Sequence, residues 1–142
     1  MNDLMEKIIS YYTEKLDAIK VEFGIDEYSN CLLRGDLDRA IEVLQNIMEN
    51  AIKYGDGRRI VISITSEEDC RLVTVTNTGC SLSKDELPYL FNSFWRGSNI
   101  GNNSGSGLGL YICRQLMLKM HGDIFAECAD DEMKVTAVFR ML

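Results

Sequence analysis

Residues 37–54 read LDRAIEVLQNIMENAIKY, and this stretch decides the fold. Its apolar residues recur every three or four positions, which is the pattern of a helix that buries one face. Asp36 or Asp38 can cap the first turn by accepting from unpaired backbone N–H groups, and Gly55 and Gly57 follow the last turn. The stretch therefore predicts an amphipathic helix whose polar face is available for another role. Its buried stripe comprises Ile41, Leu44, Ile47, Met48 and Ala51.

Two predicted hairpins follow this helix. Residues 58–79, RRIVISITSEEDCRLVTVTNTG, form two runs rich in β-branched residues around an acidic turn, which is typical of an antiparallel hairpin. DIFAEC at 123–128 and KVTAVFRM at 134–141 predict a second hairpin, with its turn at Asp130 and Asp131.

The remaining elements are two short strands and two more helices. IKVEFG at 19–24 and NCLLRGD at 30–36 predict the strands, and residues 3–18 and 108–120 have the spacing of amphipathic helices. Helices interspersed with hairpin-linked strands favour a single α+β domain, in which helices pack on one face of a mixed sheet. We therefore expect a two-layer α/β sandwich over the whole chain, residues 1–142.

The composition excludes some function classes. The net charge is -7 for 142 residues, whereas nucleic acids and anionic membranes are bound by basic surfaces. No signal segment and no apolar run near 18 residues is present, so we expect a soluble, cytoplasmic chain. Its cysteines are widely separated, which predicts reduced and mostly buried thiols. They are Cys31, Cys70, Cys80, Cys113 and Cys128.

Residues 99–110, NIGNNSGSGLGL, form a polar loop with regularly spaced glycines that leads into the helix at 108–120. Glycines let backbone approach a ligand closely, and the N-terminus of a helix offers unpaired N–H groups to phosphate. The spacing matches neither a P-loop nor a dinucleotide-binding turn, because no strand precedes it. A nucleotide site and an ordinary surface loop both remain open for this segment.

The polar face of the 37–54 helix carries Asn46 and Asn50 one turn apart, with Lys53 and Tyr54 one turn further on. A carboxamide oxygen is a hard, neutral ligand suited to Mg²⁺, which usually takes few protein ligands together with phosphates and waters. The alternative is a solvated helix face.

Two further segments contain candidate ligand-binding residues. VTNTG ends a strand with Asn77 and Gly79, which could read a base edge or form a simple turn. LFNSFWRG at 90–97 places Arg96 after aromatics that we expect in the core. We expect His121, beside Gly122, to end a helix and not to act in catalysis.

In order and spacing these segments resemble the ATP-binding catalytic domain of bacterial sensor histidine kinases, in the GHKL superfamily. LQNIMENAIKY is similar to the N box of that family, VTNTG to its G1 box, LFNSFWRG to its F box and SGSGLGL to its G2 box. The resemblance covers about residues 4–139. It implies the Bergerat fold, with a lid between the F and G2 boxes at roughly 97–104.

The resemblance also implies a role for each residue. Asn50 would hold Mg²⁺, with Asn46 one turn before it, while Lys53 would approach the phosphates and Tyr54 would lie against adenine. Arg96 would reach the polyphosphate. The base would be recognised by Asn77 and Gly79, and the phosphate-binding helix entrance would comprise Gly105, Gly107, Leu108 and Gly109.

Three departures from the family pattern are evident. Asn77 replaces a common Asp and so loses a charge-assisted hydrogen bond to the base. Asp123 stands where the family usually has a turn glycine. The chain contains no dimerisation helix with an accepting histidine, so we expect a domain from a longer protein.

The implied function is transfer of the γ-phosphoryl group of Mg-ATP to a histidine on the dimerisation domain of the same protein. A response regulator would be an indirect partner. The isolated domain would be monomeric and the parent protein a homodimer. Sensor kinases that resemble this chain are usually anchored in the cell membrane.

Three other activities are weighed against that function. Hydrolysing relatives such as gyrase and the Hsp90 chaperones have a Glu at the place of Asn46, and Glu49 lies about 100° round the helix from its neighbour Asn50. Anti-sigma-factor serine kinases match the size of the chain but not LFNSFWRG. A pseudokinase that binds nucleotide or a partner without phosphoryl transfer is favoured only by Asn77.

Overall fold

The computed structural model describes residues 1–80, 85–91 and 109–142. Three α-helices and five strands lie in these ranges, together with one 3₁₀ turn at Leu87–Tyr89. The helices are α1 (Asn2–Ala18), α2 (Leu37–Tyr54) and α3 (Gly109–Lys119). The strands are β1 (Glu22–Ile25), β2 (Arg59–Glu67), β3 (Cys70–Thr78), β4 (Asp123–Ala129) and β5 (Glu132–Arg140).

The five strands form one mixed sheet in the order β1-β2-β3-β5-β4. β1 runs parallel to β2, and the other three pairs are antiparallel. Burial alternates along β2 and β3, so that one face of the sheet is covered and the other is only partly covered. The predicted α+β sandwich with helices on one face of a mixed sheet is confirmed.

α2 lies at the centre of the helical layer. Its bounds are those predicted, and Oδ1 of its N-cap Asp36 accepts from the N–H groups of Asp38 at 2.8 Å and Arg39 at 3.3 Å. The helix contacts α1, α3, β3 and β5, so it joins every layer of the core. Its buried residues are Ala40, Val43, Leu44, Ile47, Met48, Ala51 and Tyr54.

The predicted strand at 30–36 is wrong. Only Leu33 forms an isolated bridge, with Met141, and Gly35 adopts a φ of +134° directly before the helix cap. The segment hydrogen-bonds to the end of the chain only around this bridge, and Gly35 then turns the backbone towards the cap of α2. α3 is described over Gly109–Lys119 and ends one residue before the predicted Met120, while the predicted start at Leu108 lies outside the described residues.

The prediction of uniformly reduced cysteines is also wrong. Cys80 and Cys128 form a disulfide with 6.5 Å between their Cα atoms, whereas Cys31, Cys70 and Cys113 are free. Gly79 donates its N–H to the carbonyl of Asp131 at 2.7 Å, which holds the end of β3 against the β4–β5 hairpin. The two cysteines are 48 residues apart, so only the folded chain brings them together.

His121 lies just after the end of α3, as its position beside Gly122 predicts. This residue is exposed with a φ of +64°, and the N–H of Gly122 donates to the carbonyl of Met117 at 2.8 Å. A Cβ atom on Gly122 would overlap the carbonyl oxygen of Val138 in β5. Asp123 begins β4 immediately afterwards, so the helix turns directly onto the sheet.

Within residues 1–80, 85–91 and 109–142, no helix is long and apolar enough to cross a lipid bilayer.

The disulfide predicts a pattern of thiol alkylation. Without reductant, iodoacetamide should modify the half-buried Cys31 and Cys70 and should leave Cys80 and Cys128 unmodified, as peptide mass spectrometry would show. Cys113 is buried, and burial raises its pKa to about 12, so it should react only after unfolding. Alkylation of Cys80 and Cys128 in the native, unreduced protein would contradict the disulfide.

Gly122→Ala should destabilise the fold, because the new methyl group meets a backbone carbonyl that cannot move aside easily. Overpacking of this kind costs about 1–3 kcal/mol, measurable by urea unfolding. Gly24→Ala is the matched control, since its Cβ would lie 3.7 Å from Val61 in ordinary contact. Equal unfolding free energies for the two variants would contradict the close approach at Gly122.

Candidate active site

The polar face of α2 meets the N-terminus of α3. Asn46 is half-buried and its Nδ2 donates to the carbonyl of Glu42 at 3.0 Å. A Cβ atom on Gly109 would lie 3.5 Å from the Oδ1 of Asn46. Two segments that are far apart in the sequence, the helix 37–54 and the end of the glycine loop, are therefore neighbours in space.

Packing below this contact holds the two helices together. Leu110, Cys113 and Met117 of α3 are buried, and the Sγ of Cys113 lies 3.5 Å from the carbonyl oxygen of Val43 in α2. Because these buried contacts hold α3 against α2, the start of α3 is fixed relative to the asparagines of α2.

Asn50 lies one turn after Asn46, and the nitrogen of its side-chain amide has no hydrogen-bond partner among the described residues. This Nδ2 atom is buried. Buried polar atoms are rarely left unpaired, and exceptions are often found where a ligand, ion or water binds. Asn50 is thus a candidate ligand-binding residue on geometry as well as on sequence.

Asn77 lies at the other end of α2. It is on β3 and only 2% exposed, and its Nδ2 donates to the carbonyl of Gly79 at 2.8 Å and to that of Thr78 at 3.3 Å. A Cβ on Gly55, the C-cap of α2, would lie 3.0 Å from the same nitrogen. The glycine at position 55 therefore allows α2 to end directly against Asn77.

Asp56 is a residue of this site that sequence analysis missed. Its Oδ1 accepts from the hydroxyl of Thr78 at 2.6 Å and from the N–H of Arg58 at 3.0 Å, and its Oδ2 pairs with Arg58 Nε at 2.8 Å. The hydrogen bond from Thr78 contributes most to lowering the pKa of Asp56 to about 2. The only signal in the sequence is its position between Gly55 and Gly57, the two glycines that predict the end of the helix.

The other predicted site residues are distributed unevenly. Lys53 is exposed, while Tyr54 is 5% exposed and belongs to the core cluster. Gly79 has a φ of +77°, which a side chain would adopt only with strain. Outside the described residues lie Arg96, Gly105, Gly107, Leu108 and the proposed lid at 97–104.

Glu49 is bound by α1. Its carboxylate accepts from the hydroxyl of Tyr12 at 2.7 Å and from Lys15 Nζ at 2.8 Å. Burial, and then this hydrogen bond, raises the pKa of Tyr12, while the bond to Glu49 raises the pKa of Lys15. A carboxylate held by two donors in this way is poorly placed to activate water for a ligand beside Asn46.

The family described as histidine kinase-, DNA gyrase B- and HSP90-like ATPase matches residues 35–141. That range contains α2, α3 and four of the five strands, and with them every candidate site residue described above.

Two sensor histidine kinases and a bacteriophytochrome are among the proteins similar to this chain in sequence. The sensor histidine kinase RcsC of Escherichia coli is 37% identical over 94 residues, which are 65% of this chain and 10% of the relative. The bacteriophytochrome of Pseudomonas aeruginosa is 30% identical over 92% of this chain and 18% of the relative. The sensor histidine kinase RppB of Synechocystis is 28% identical over 91% of this chain. The chain spans 29% of RppB, so it corresponds to a minor part of each relative.

Solved structures share the fold. The nucleotide-free catalytic domain of the histidine kinase ThkA superposes with a TM-score of 0.85 at 23% identity, covering 99% of this chain and 92% of that domain. The histidine kinase AdeS of Acinetobacter baumannii gives 0.78 at 21% identity, covering 99% of this chain and 64% of that one. From the extent of the family match, this chain belongs to the histidine kinase-, DNA gyrase B- and HSP90-like ATPases, and within that family it is similar to the catalytic domains of sensor histidine kinases.

Proposed function

We propose that this chain binds Mg-ATP and transfers its γ-phosphoryl group to a histidine on a separate dimerisation domain. The observation that carries this proposal is the half-buried Asn50, whose buried Nδ2 has no partner among the described residues, one turn from the contact between Asn46 and the start of α3. Similarity to the sensor histidine kinases RcsC and RppB supports the choice of reaction.

The side-chain oxygen of Asn50 is a suitable ligand for a magnesium ion. Asn50 offers a neutral carboxamide oxygen, and few protein ligands are needed because phosphates and waters complete the shell of Mg²⁺. Bound there, the ion would neutralise negative charge on the polyphosphate. The overall charge of -7 makes such local neutralisation necessary for an anionic ligand.

The phosphates would lie between α2 and α3. Lys53 is exposed on the last turn of α2, where its amine can reach a solvent-facing phosphate. Gly109 is the first described residue of α3, and the first N–H groups of an α-helix have no partner within the helix. We propose that Arg96, Gly105, Gly107 and Leu108 complete this phosphate site.

The base would lie near Asn77, with Gly79 allowing close approach of the backbone. The Nδ2 of Asn77 already donates to two carbonyls, so its oxygen is the atom that would accept from the amino group of adenine. We propose that Tyr54 forms part of the same pocket wall from its buried position.

Phosphoryl transfer to a protein, and not hydrolysis, is the reaction we propose. Asn46 has no basic atom that could take a proton from water, and the carboxylate of Glu49 is held by Tyr12 and Lys15. Transfer through a loose transition state requires mainly positioning and charge neutralisation, which this site would supply. The nucleophile would be a histidine presented by the dimerisation domain of a longer, homodimeric sensor kinase that acts on a response regulator.

Asn50→Ala should weaken Mg-ATP binding at least about tenfold, which corresponds to about 1.4 kcal/mol. Isothermal titration calorimetry with and without EDTA measures this, and the variant and the native chain should bind ATP equally weakly once the metal is removed. Gln45→Ala, an exposed change on the same helix, is the control. Equal affinity of Asn50→Ala and the native chain for Mg-ATP would refute the metal assignment.

Incubation with γ-labelled ATP and a dimerisation domain should yield acid-labile, base-stable phosphohistidine on that domain, detected after gel separation. A dimerisation domain with its histidine replaced by alanine is the control and should remain unlabelled. Release of free phosphate without labelling would indicate an ATPase, and ATP binding with neither product would indicate a binding module.

A further inference from the structure

The orientation of the Asn77 carboxamide is fixed by its neighbours. The two groups that face one end of it, the carbonyls of Thr78 and Gly79 at 3.3 and 2.8 Å, can only accept hydrogen bonds. The end that faces these carbonyls must therefore be the NH₂ group, since the amide oxygen cannot donate. The oxygen of Asn77 consequently points the other way, as an acceptor.

Asp56 holds the backbone that fixes this orientation. Its N–H donates to the carbonyl of Thr78 at 2.9 Å, and its Oδ1 accepts from the hydroxyl of the same residue at 2.6 Å. A Cβ on Gly79 would lie 2.8 Å from the Cβ of Asp56, so Gly79 packs directly on this side chain. Asp56 thus binds Thr78 through both its backbone N–H and its carboxylate, and its side chain packs against Gly79.

We propose that Asp56 is a positioning residue that makes this site select adenine over guanine, by keeping the Thr78–Gly79 carbonyls where they orient Asn77. This inference rests on the proposed function. Adenine carries an amino donor at C6, which the fixed oxygen of Asn77 accepts. Guanine carries a carbonyl at the same position, so its oxygen would face another acceptor.

Because residue 77 is Asn and not Asp, its side chain must be held in one orientation to select adenine. A carboxylate accepts through both of its oxygens, so it presents an acceptor in either orientation. A carboxamide that turned by 180° would instead present its NH₂ group, which suits the guanine carbonyl. The chain has Asn77, so its selectivity depends on preventing that turn.

The ionisation of Asp56 strengthens its contact with Thr78. Hydrogen bonds from Thr78 and Arg58 lower the pKa of Asp56 to about 2, so its carboxylate stays ionised even at a pH where an ordinary aspartate begins to protonate. The contact with Thr78 is therefore a charge-assisted hydrogen bond, which is shorter and stronger than one between neutral groups.

The test compares dissociation constants for Mg-ATP and Mg-GTP, measured by calorimetry on the full 142-residue chain. The native chain should prefer ATP by at least about tenfold, as expected for a site that hydrogen-bonds one group and repels its counterpart. Asp56→Ala should weaken ATP binding and reduce that ratio at least about fivefold, because the freed carboxamide can serve either base.

Two variants serve as controls. Asp56→Asn keeps an oxygen for the Thr78 hydroxyl and should retain most of the preference. Arg58→Ala removes only the outer ion pair with Oδ2 and should leave the ratio unchanged. If Asp56→Ala does not fold, Thr78→Val removes the hydroxyl donor from the other side, and the same loss of preference is expected.

A structural role alone would give a different result. Equal weakening of ATP and GTP in Asp56→Ala, with a lowered melting temperature and an unchanged ratio, would overturn the proposal. A native chain that binds both nucleotides equally would also overturn it while leaving the proposed function intact. A native chain that binds neither would refute the proposed function and this inference together.

Discussion

The rest of the structure depends on the two faces of α2. One face is buried against the sheet, α1 and α3, while the other carries Asn46 and Asn50. Since a single rigid helix serves both, the asparagines are positioned by the same contacts that stabilise the core. Truncation of a buried residue such as Leu44 or Met48 would therefore disturb the site as well as the fold.

The sequence predicts well those elements whose pattern is long and clearly capped. The bounds of α2 are correct because its periodicity, its N-cap Asp36 and Gly55 all agree. The segment at 30–36 has strand-like composition, but it pairs only around Leu33 before Gly35 turns the chain. Local composition does not reveal such a turn.

Contacts between distant segments are what the sequence leaves out. The resemblance to a family placed Asn46 and Gly109 in one site, yet their proximity is visible only once α2 and α3 pack. The contacts of Asp56 were missed because its partners are distant in the sequence, Thr78 at the end of β3 and Gly79 directly after it. The disulfide was missed for the same reason, since cysteine spacing does not specify pairing.

The disulfide between Cys80 and Cys128 also has a consequence for the denatured chain. It closes a covalent ring that contains α3 and all residues from 81 to 127. Closing a ring of that length removes conformational entropy from the unfolded ensemble worth about 4 kcal/mol in the chain-entropy account. In its oxidised form the unfolded chain thus starts each refolding event with Cys80, which follows β3, already joined to β4.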